Sequence, residues 1–236
     1  MIPLVLPKRA VPRFYFSLSS PYSWLAHRRL TDRHPQVAEA VEWCPFWEPD
    51  ARSAAMLKRA GGNFPSMALS RDKYLYILRD VRRCAQEAGL QPVWPVDRDP
   101  VWEVPHLACL VAQDEGRGAA FIRRMYQLRW EEGRDICDPA VVADAAAGLG
   151  LPAGRLAGAA DDDALRERGV EALLAGDRDG VFGVPFFVHG FDTFWGLDRL
   201  SAFVRSVVGA RTPSRGRLPA LALGAVGDQG HGGGCG

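Results

Sequence analysis

Ser20-Pro21-Tyr22-Ser23 lies where the apolar run Phe14–Leu18 gives way to a segment carrying Trp24, Leu25 and Leu30. A strand-to-helix turn of this spacing is where a thiol–disulfide enzyme holds the two cysteines of a C-x-x-C motif. Both places are serines here, and a serine cannot form a mixed disulfide. A hydroxyl and the unpaired N–H groups of a helix N-terminus can instead favour an anion, including the thiolate of a bound thiol. Ser20 is equally the residue type of a plain helix N-cap. A second feature is Val184-Pro185, at the start of the aromatic run Phe186–Val188. A proline opening a hairpin strand is often cis, and it leaves the backbone of the preceding residue free to pair with an extended ligand. The same residue reads as a simple strand-edge proline. A third is Trp195–Leu200, "WGLDRL", which places Asp198 where the last helix should begin.

Other chemistries find little support. The five cysteines, Cys44, Cys84, Cys109, Cys137 and Cys235, are odd in number and scattered, and they offer no disulfide framework. No Cys/His ligand spacing appears, and His231 and Cys235 near the C-terminus are too few to hold a metal, so none is expected. Lys plus Arg, 29, nearly balance Asp plus Glu, 28, which argues against a nucleic-acid or anionic-membrane partner. The basic spots Arg79–Arg83 and Arg123–Arg129 read as solvated helix faces. No stretch approaches the roughly 20 apolar residues of a membrane span, and the start of the chain lacks the pattern of a secretory signal. The expected setting is reducing and cytoplasmic.

The elements that would position these residues follow from periodicity. Arg13–Leu18 and Ala40–Phe46 read as strands flanking a helix opened by Pro21. From about residue 48 to 178 the pattern is helical. Tyr74, Ile77, Leu78, Val81 and Ala85 form one amphipathic stripe, Phe121, Met125 and Leu128 another, and Asp138-Pro139 starts a third helix. "DDDALRERGVEALLAG" adds a further helix with an acidic start. "VPFFVHG" and "FDTFWG" read as a hairpin turning at His189–Gly190, followed by a helix with Leu200, Phe203, Val204 and Val207 on its apolar face. The order β-α-β, helices, β-β-α describes an α/β thioredoxin-like domain with a large all-helical insertion. Residues 10–47 and 180–208 would form the two halves of that domain, 48–179 the insertion, and 209–236, rich in Gly, a disordered tail.

Six segments, "FYFSLSSPYSWLA", "AMLKRAGGNFP", "YILRDVRR", "GRDICDP", "VFGVPFF" and "FWGLDRL", together resemble the 2-hydroxychromene-2-carboxylate isomerases. These are relatives of the kappa-class glutathione transferases and, more distantly, of DsbA. The resemblance runs in order from about residue 13 to 207. It implies glutathione as cofactor, with Ser20 approaching its sulfur. Val184 and Pro185 would meet the cysteinyl backbone in the manner of an added strand. Trp195, Gly196, Leu197 and Asp198 would receive the γ-glutamyl end, Asp198 facing its ammonium group. Lys58 and Asn63 would line the cleft for an aromatic small-molecule substrate, and Arg98, in the loop Pro95–Pro100, would face it too. The resemblance also implies a homodimer.

Two positions depart from the family's pattern: Ser17, where Asp is common, and Leu197, where a polar side chain is common. The adjacent Ser19 and Ser20 both carry hydroxyls, and proximity to Pro21 favours Ser20 as the one facing the ligand. The implied activity is glutathione-dependent cis–trans isomerisation of an aromatic 2-oxo acid or chromene carboxylate through a reversible thiolate adduct. A kappa-like transferase that conjugates electrophiles shares the same thiol site. A non-catalytic thioredoxin-fold binding protein is the third reading.

Overall fold

The computed structural model describes residues 11–65 and 70–209. The anticipated tail, with His231 and Cys235, lies outside them except for Gly209, which closes the last helix. The first strand and helix are β1, Arg13–Phe16, and α1, Pro21–Arg33; the short α2, Pro35–Ala38, leads into β2, Glu42–Pro45. Helices α3, Ala51–Arg59, α4, Arg71–Glu87, α5, Glu103–Asp114, and α6, Gly118–Trp130, come next. Then follow α7, Pro139–Gly148, α8, Ala153–Ala157, and α9, Asp163–Arg178. The chain ends with β3, Phe186–His189, β4, Asp192–Trp195, and α10, Leu200–Gly209.

The four strands form one sheet in the order β2-β1-β3-β4, with β1 and β2 parallel and the other pairs antiparallel. β1 is central and every residue of it is buried. Its side chains alternate between two covered faces, which explains a continuous apolar run rather than an alternating one. Phe14 stacks on Phe187 at 4.6 Å, and Phe187 stacks on Phe203 of α10 at 4.8 Å. Phe14 and Phe16 both meet Trp43. On the opposite face Tyr15 meets Phe46, and α9 lies so close that a Cβ on Gly176 would sit 2.7 Å from the Phe46 ring.

A buried polar group ties the end of α9 to the central strand β1. The Tyr15 hydroxyl donates to Asp179 at 2.6 Å and accepts from Arg13, whose guanidinium also pairs with Asp179. Gly180 and Val181 follow directly, so the ion pair anchors the approach to Pro185. Elsewhere Arg166 of α9 reaches Asp50 at 2.8 Å and the Ser53 hydroxyl at 3.0 Å, holding α3 in place.

Three details differ from the periodicity reading. The hairpin turns at Gly190–Phe191, not His189–Gly190, because His189 still pairs with Asp192 and the left-handed position (φ +64°) falls on Gly190. Tyr74 is half exposed; only the Val81–Ala85 end of its stripe enters the core. Arg129 is not on a solvated face. It is buried between Trp102 and Trp130, each ring 4.9 Å away, and makes a two-pronged bond to Asp97.

Two histidines are buried in this core. Burial pushes His27 and His106 down to about 3, with nearby arginines adding to the effect and the Trp102 carbonyl partly opposing it for His106. The unfolded chain takes up these protons near pH 6.5. Below that pH the unfolded state therefore binds more protons, and folding is progressively disfavoured until about pH 3. Together the pair contributes a slope of up to about 2.7 kcal/mol per pH unit in that window. Urea unfolding at pH 8, 6.5, 5 and 4 checks this: stability should be level above 7 and fall steadily below 6.5. Replacing both histidines with apolar residues should flatten the fall.

Candidate thiol-binding site

Ser20 is the N-cap of α1, with Pro21 in the first turn. Its Oγ accepts from the Ser23 N–H at 3.2 Å. Its own proton has no acceptor among the described residues. The plain-cap reading and the functional one therefore hold together, because capping uses a lone pair and leaves the O–H free to donate. Ser23 is fully buried, and its Oγ accepts from the Ser17 N–H at 3.3 Å, so it holds the turn from inside. Ser19 is also committed, its Oγ 2.7 Å from Ser17 Oγ. Ser23 is enclosed and Ser19 is engaged with Ser17, so Ser20 is the partly exposed hydroxyl with no side-chain partner among the described residues.

The turn is gripped by the helices inserted between the strands. Tyr126 of α6 donates to the Ser17 carbonyl at 3.1 Å. His106 of α5 accepts from the Leu18 N–H at 3.0 Å. Tyr22, next to Pro21, donates to Asp80 of α4 at 2.7 Å, and burial together with that carboxylate holds its phenol well above the usual range. Arg83 pairs with the other oxygen of Asp80, so the "YILRDVRR" segment is what ties α4 to the first turn of α1.

The Val184–Pro185 bond is cis. Pro185 is buried and Val184 half-buried. Among the described residues neither the N–H nor the C=O of Val184 has a hydrogen-bond partner. The Pro185 carbonyl accepts from the Gly196 N–H at 2.9 Å, which draws "WGLDR" alongside. Gly196 has φ +98°, a conformation that favours glycine. Asp198 does not start the last helix. It sits in a 3-10 turn, Leu197–Arg199, that precedes α10 and packs against α1. Its carboxylate is largely exposed and 3.5 Å from Arg199. Leu197 is buried, so at that position only the backbone is open to a ligand. Trp195 is half exposed and lies against Phe182, ring centroids 5.0 Å apart. It also covers Gly183, where a Cβ would meet the indole Nε1 at 3.0 Å.

The three substrate-side residues make no hydrogen bond or ion pair with one another. Lys58 is exposed in the last turn of α3 and has no ion pair among the described residues. Asn63 follows in a segment whose backbone N–H donates to Asp177 at 3.3 Å. Arg98 is exposed, and its loop is anchored by its neighbour Asp97 through Arg129. No hydrogen bond joins any of the three to Ser20 or Val184. A cavity of about 390 Å³ lies at the far end of α1, lined by His27, Trp43 and Arg123 among others, and none of the residues expected to bind glutathione or substrate lines it.

The described cysteines are poor nucleophiles. Burial pushes the Cys109 and Cys137 thiols up to about 12, and raises Cys44 and Cys84 as well. Among the described residues no disulfide forms and no cluster of His, Cys, Asp or Glu could hold a metal. No helix among them is long and apolar enough to cross a membrane. His106, Tyr126 and Asp80 are the residues near the turn that sequence reasoning did not single out. Each sits in an ordinary helix, and its partner lies between 58 and 109 positions away.

Known proteins agree with this architecture. Residues 13–208 match the family described as DSBA-like thioredoxin domain. A 2-hydroxychromene-2-carboxylate isomerase from Sphingobium xenophagum is 29% identical over 79% of this chain and 92% of its own length. One from Pseudomonas putida is 29% identical over 79% and 89%. The solved structure of a 2-hydroxychromene-2-carboxylate isomerase superimposes with a TM-score of 0.66 at 23% identity, covering 85% of this chain and 95% of that one. The resemblance drawn from the six segments is borne out, and the chain belongs to the DsbA-like thioredoxin-domain family.

Proposed function

We propose that this chain is a glutathione-dependent cis–trans isomerase of the 2-hydroxychromene-2-carboxylate isomerase type, acting on an aromatic 2-oxo acid or chromene carboxylate. The observation that carries the reading is the uncommitted Ser20 hydroxyl at the N-terminus of α1, in a protein whose described thiols are all held protonated. The protein supplies a donor where a sulfur would otherwise be.

The residues present suit glutathione. The Val184 backbone offers one donor and one acceptor to an extended peptide. Asp198 offers an exposed carboxylate for an ammonium group, and the Gly196–Leu197 backbone lies beside it. Ser20 and the dipole of α1 favour the ionised thiol. Bound glutathione supplies a thiolate that adds reversibly to a conjugated double bond, so that the bond can rotate. Lys58 and Arg98, exposed cations on separate elements, attract the substrate carboxylate and oppose the charge that develops on its oxygen. Asn63 adds hydrogen bonds in the same cleft. The aromatic faces of Phe182 and Trp195 cover the loop that leads to Val184. Two copies associate and the enzyme works in the reducing cytoplasm, where glutathione is abundant and a thiol turn without cysteines is inert to oxidation.

Two substitutions separate the hydroxyl's chemistry from its capping. Ser20→Ala loses the cap and about 1 kcal/mol of stability, whereas Ser20→Gly costs only a few tenths. Both should lower turnover of 2-hydroxychromene-2-carboxylate by about 100-fold with glutathione present. Near-native turnover by Ser20→Gly would sink the assignment. Mass spectrometry of the products distinguishes the outcomes: free glutathione returned unchanged supports isomerisation, and a stable conjugate points to a transferase.

The sulfur chemistry has its own check. In a Cys235→Ser background, Cys109 and Cys137 should react with a disulfide reagent at pH 8 more than about 100-fold more slowly than free cysteine, whose pKa is about 8.5. Urea should restore the ordinary rate. Rapid labelling in the folded protein would show that the chain carries a reactive thiol of its own.

A further inference from the structure

His106 takes no part in the chemistry above, yet it is the titratable side chain most closely engaged with the β1–α1 turn. Resting on the glutathione reading, we propose that His106 is a positioning residue for the thiol site. It ends a hydroxyl relay, Ser19 to Ser17 to His106, that turns the Ser19 proton inward and leaves Ser20 as the turn's one hydroxyl donor to a thiolate.

The direction of the relay follows from which groups can accept. His106 Nδ1 lies 2.7 Å from the Trp102 carbonyl, an acceptor only, so Nδ1 carries the proton. The ring is completely buried, stacked on Trp47 at 5.1 Å, and neutral. Nε2 is then an acceptor. The Leu18 N–H, which can only donate, lies 3.0 Å from Nε2 and requires the same tautomer. Two independent backbone groups therefore fix one protonation pattern.

Ser17 Oγ lies 3.3 Å from that same Nε2. With no proton on Nε2, the contact is a hydrogen bond only when Ser17 donates. The one lone pair of Nε2 is then shared between the Leu18 N–H and the Ser17 O–H, and with Ser17's single proton directed there, Ser19 is the donor in their 2.7 Å contact. Ser17 then accepts from the Ser19 hydroxyl and from the Ser19 N–H at 3.3 Å, and donates once. The reverse orientation would turn a Ser17 lone pair toward Nε2 where both Ser17 and His106 are buried, which is costly. Ser19 is thus spent inward. The Ser20 N–H, meanwhile, donates to the Ser17 carbonyl at 3.2 Å, so the residue that closes the relay also holds Ser20's backbone.

The test measures the bound thiol as well as activity. Glutathione is titrated on the protein by thiolate ultraviolet absorbance, and kcat and KM are measured with 2-hydroxychromene-2-carboxylate. His106→Leu frees the Ser19 proton to turn outward as a second donor, so it should move the thiol titration to lower pH, and by misplacing the turn lower kcat about tenfold, with the KM for glutathione changed less than about threefold. His106→Gln, whose amide oxygen can accept from the Leu18 N–H, should recover most of both. Ser17→Ala breaks the relay without opening a large cavity; it should also move the titration, and it carries the test if His106→Leu does not fold. A purely structural role would lower the melting temperature and leave the titration where it was. Unchanged titration and kcat in a folded His106→Leu, or in Ser17→Ala, would overturn the proposal. A wild-type protein that binds no glutathione would overturn the glutathione reading and this proposal with it.

Discussion

The hydrogen bond from the Leu18 N–H to His106 is the constraint from which most of the architecture follows. β1 is buried on both faces, so the backbone groups just beyond its end cannot turn to water. They need protein partners, and the strands do not provide them. The inserted helices do: His106 from α5 takes the Leu18 N–H, and Tyr126 from α6 gives to the Ser17 carbonyl. The insertion is therefore what makes the turn's conformation satisfiable at all. A thioredoxin-like sheet without it would leave the buried Leu18 N–H orphaned beside the site, at a cost of about 1–3 kcal/mol, and the Ser17 carbonyl with the Ser20 N–H alone.

The same economy of polar groups separates the two faces of β1. On the Tyr15 side, an ion pair closed by a phenol holds the end of α9 and the segment that leads to Pro185. On the turn side, neutral groups hold Ser17 and Leu18, a histidine and a phenol, while Tyr22 of the first helical turn leans on the Asp80–Arg83 pair. A full charge beside the turn would bias the ionisation of anything bound there. Ser17 keeps that position uncharged, and its hydroxyl suits a neutral imidazole in a way that a carboxylate would not.

Legibility from sequence followed the range of each interaction. Ser20, Pro21 and the cis Val184–Pro185 bond were readable because their chemistry is local: a cap, a first-turn proline, a residue before a proline. The β-α-β opening and the closing hairpin were readable from aromatic runs and turn residues, and the sheet order follows from them. Details one or two residues wide were not. The hairpin turn moved to Gly190–Phe191, and Asp198 fell in a 3-10 turn, because strand pairing and a left-handed glycine decide those boundaries. His106, Tyr126 and Arg129 were beyond reach for a different reason. A lone histidine in "EVPHLACLVA" looks like any polar residue in a helix until the fold brings Leu18 to it. Arg129 sat in what read as a basic surface patch, and only tertiary contact shows it clamped between two tryptophans.

The substrate side follows a different logic from the thiol side. Lys58 rides on α3, which Arg166 fixes through Asp50; Arg98 rides on a loop that Arg129 fixes through Asp97. In each case the buried arginine binds a residue other than the exposed cation, so the cation itself carries no structural duty. Either cation could change in length or charge without leaving a buried group unpaired. The thiol side has no such freedom, because Ser17, Ser19, Ser20 and Ser23 each hold a backbone or side-chain partner in the turn. The two exposed cations can thus vary on these outlying supports while the turn stays as it is.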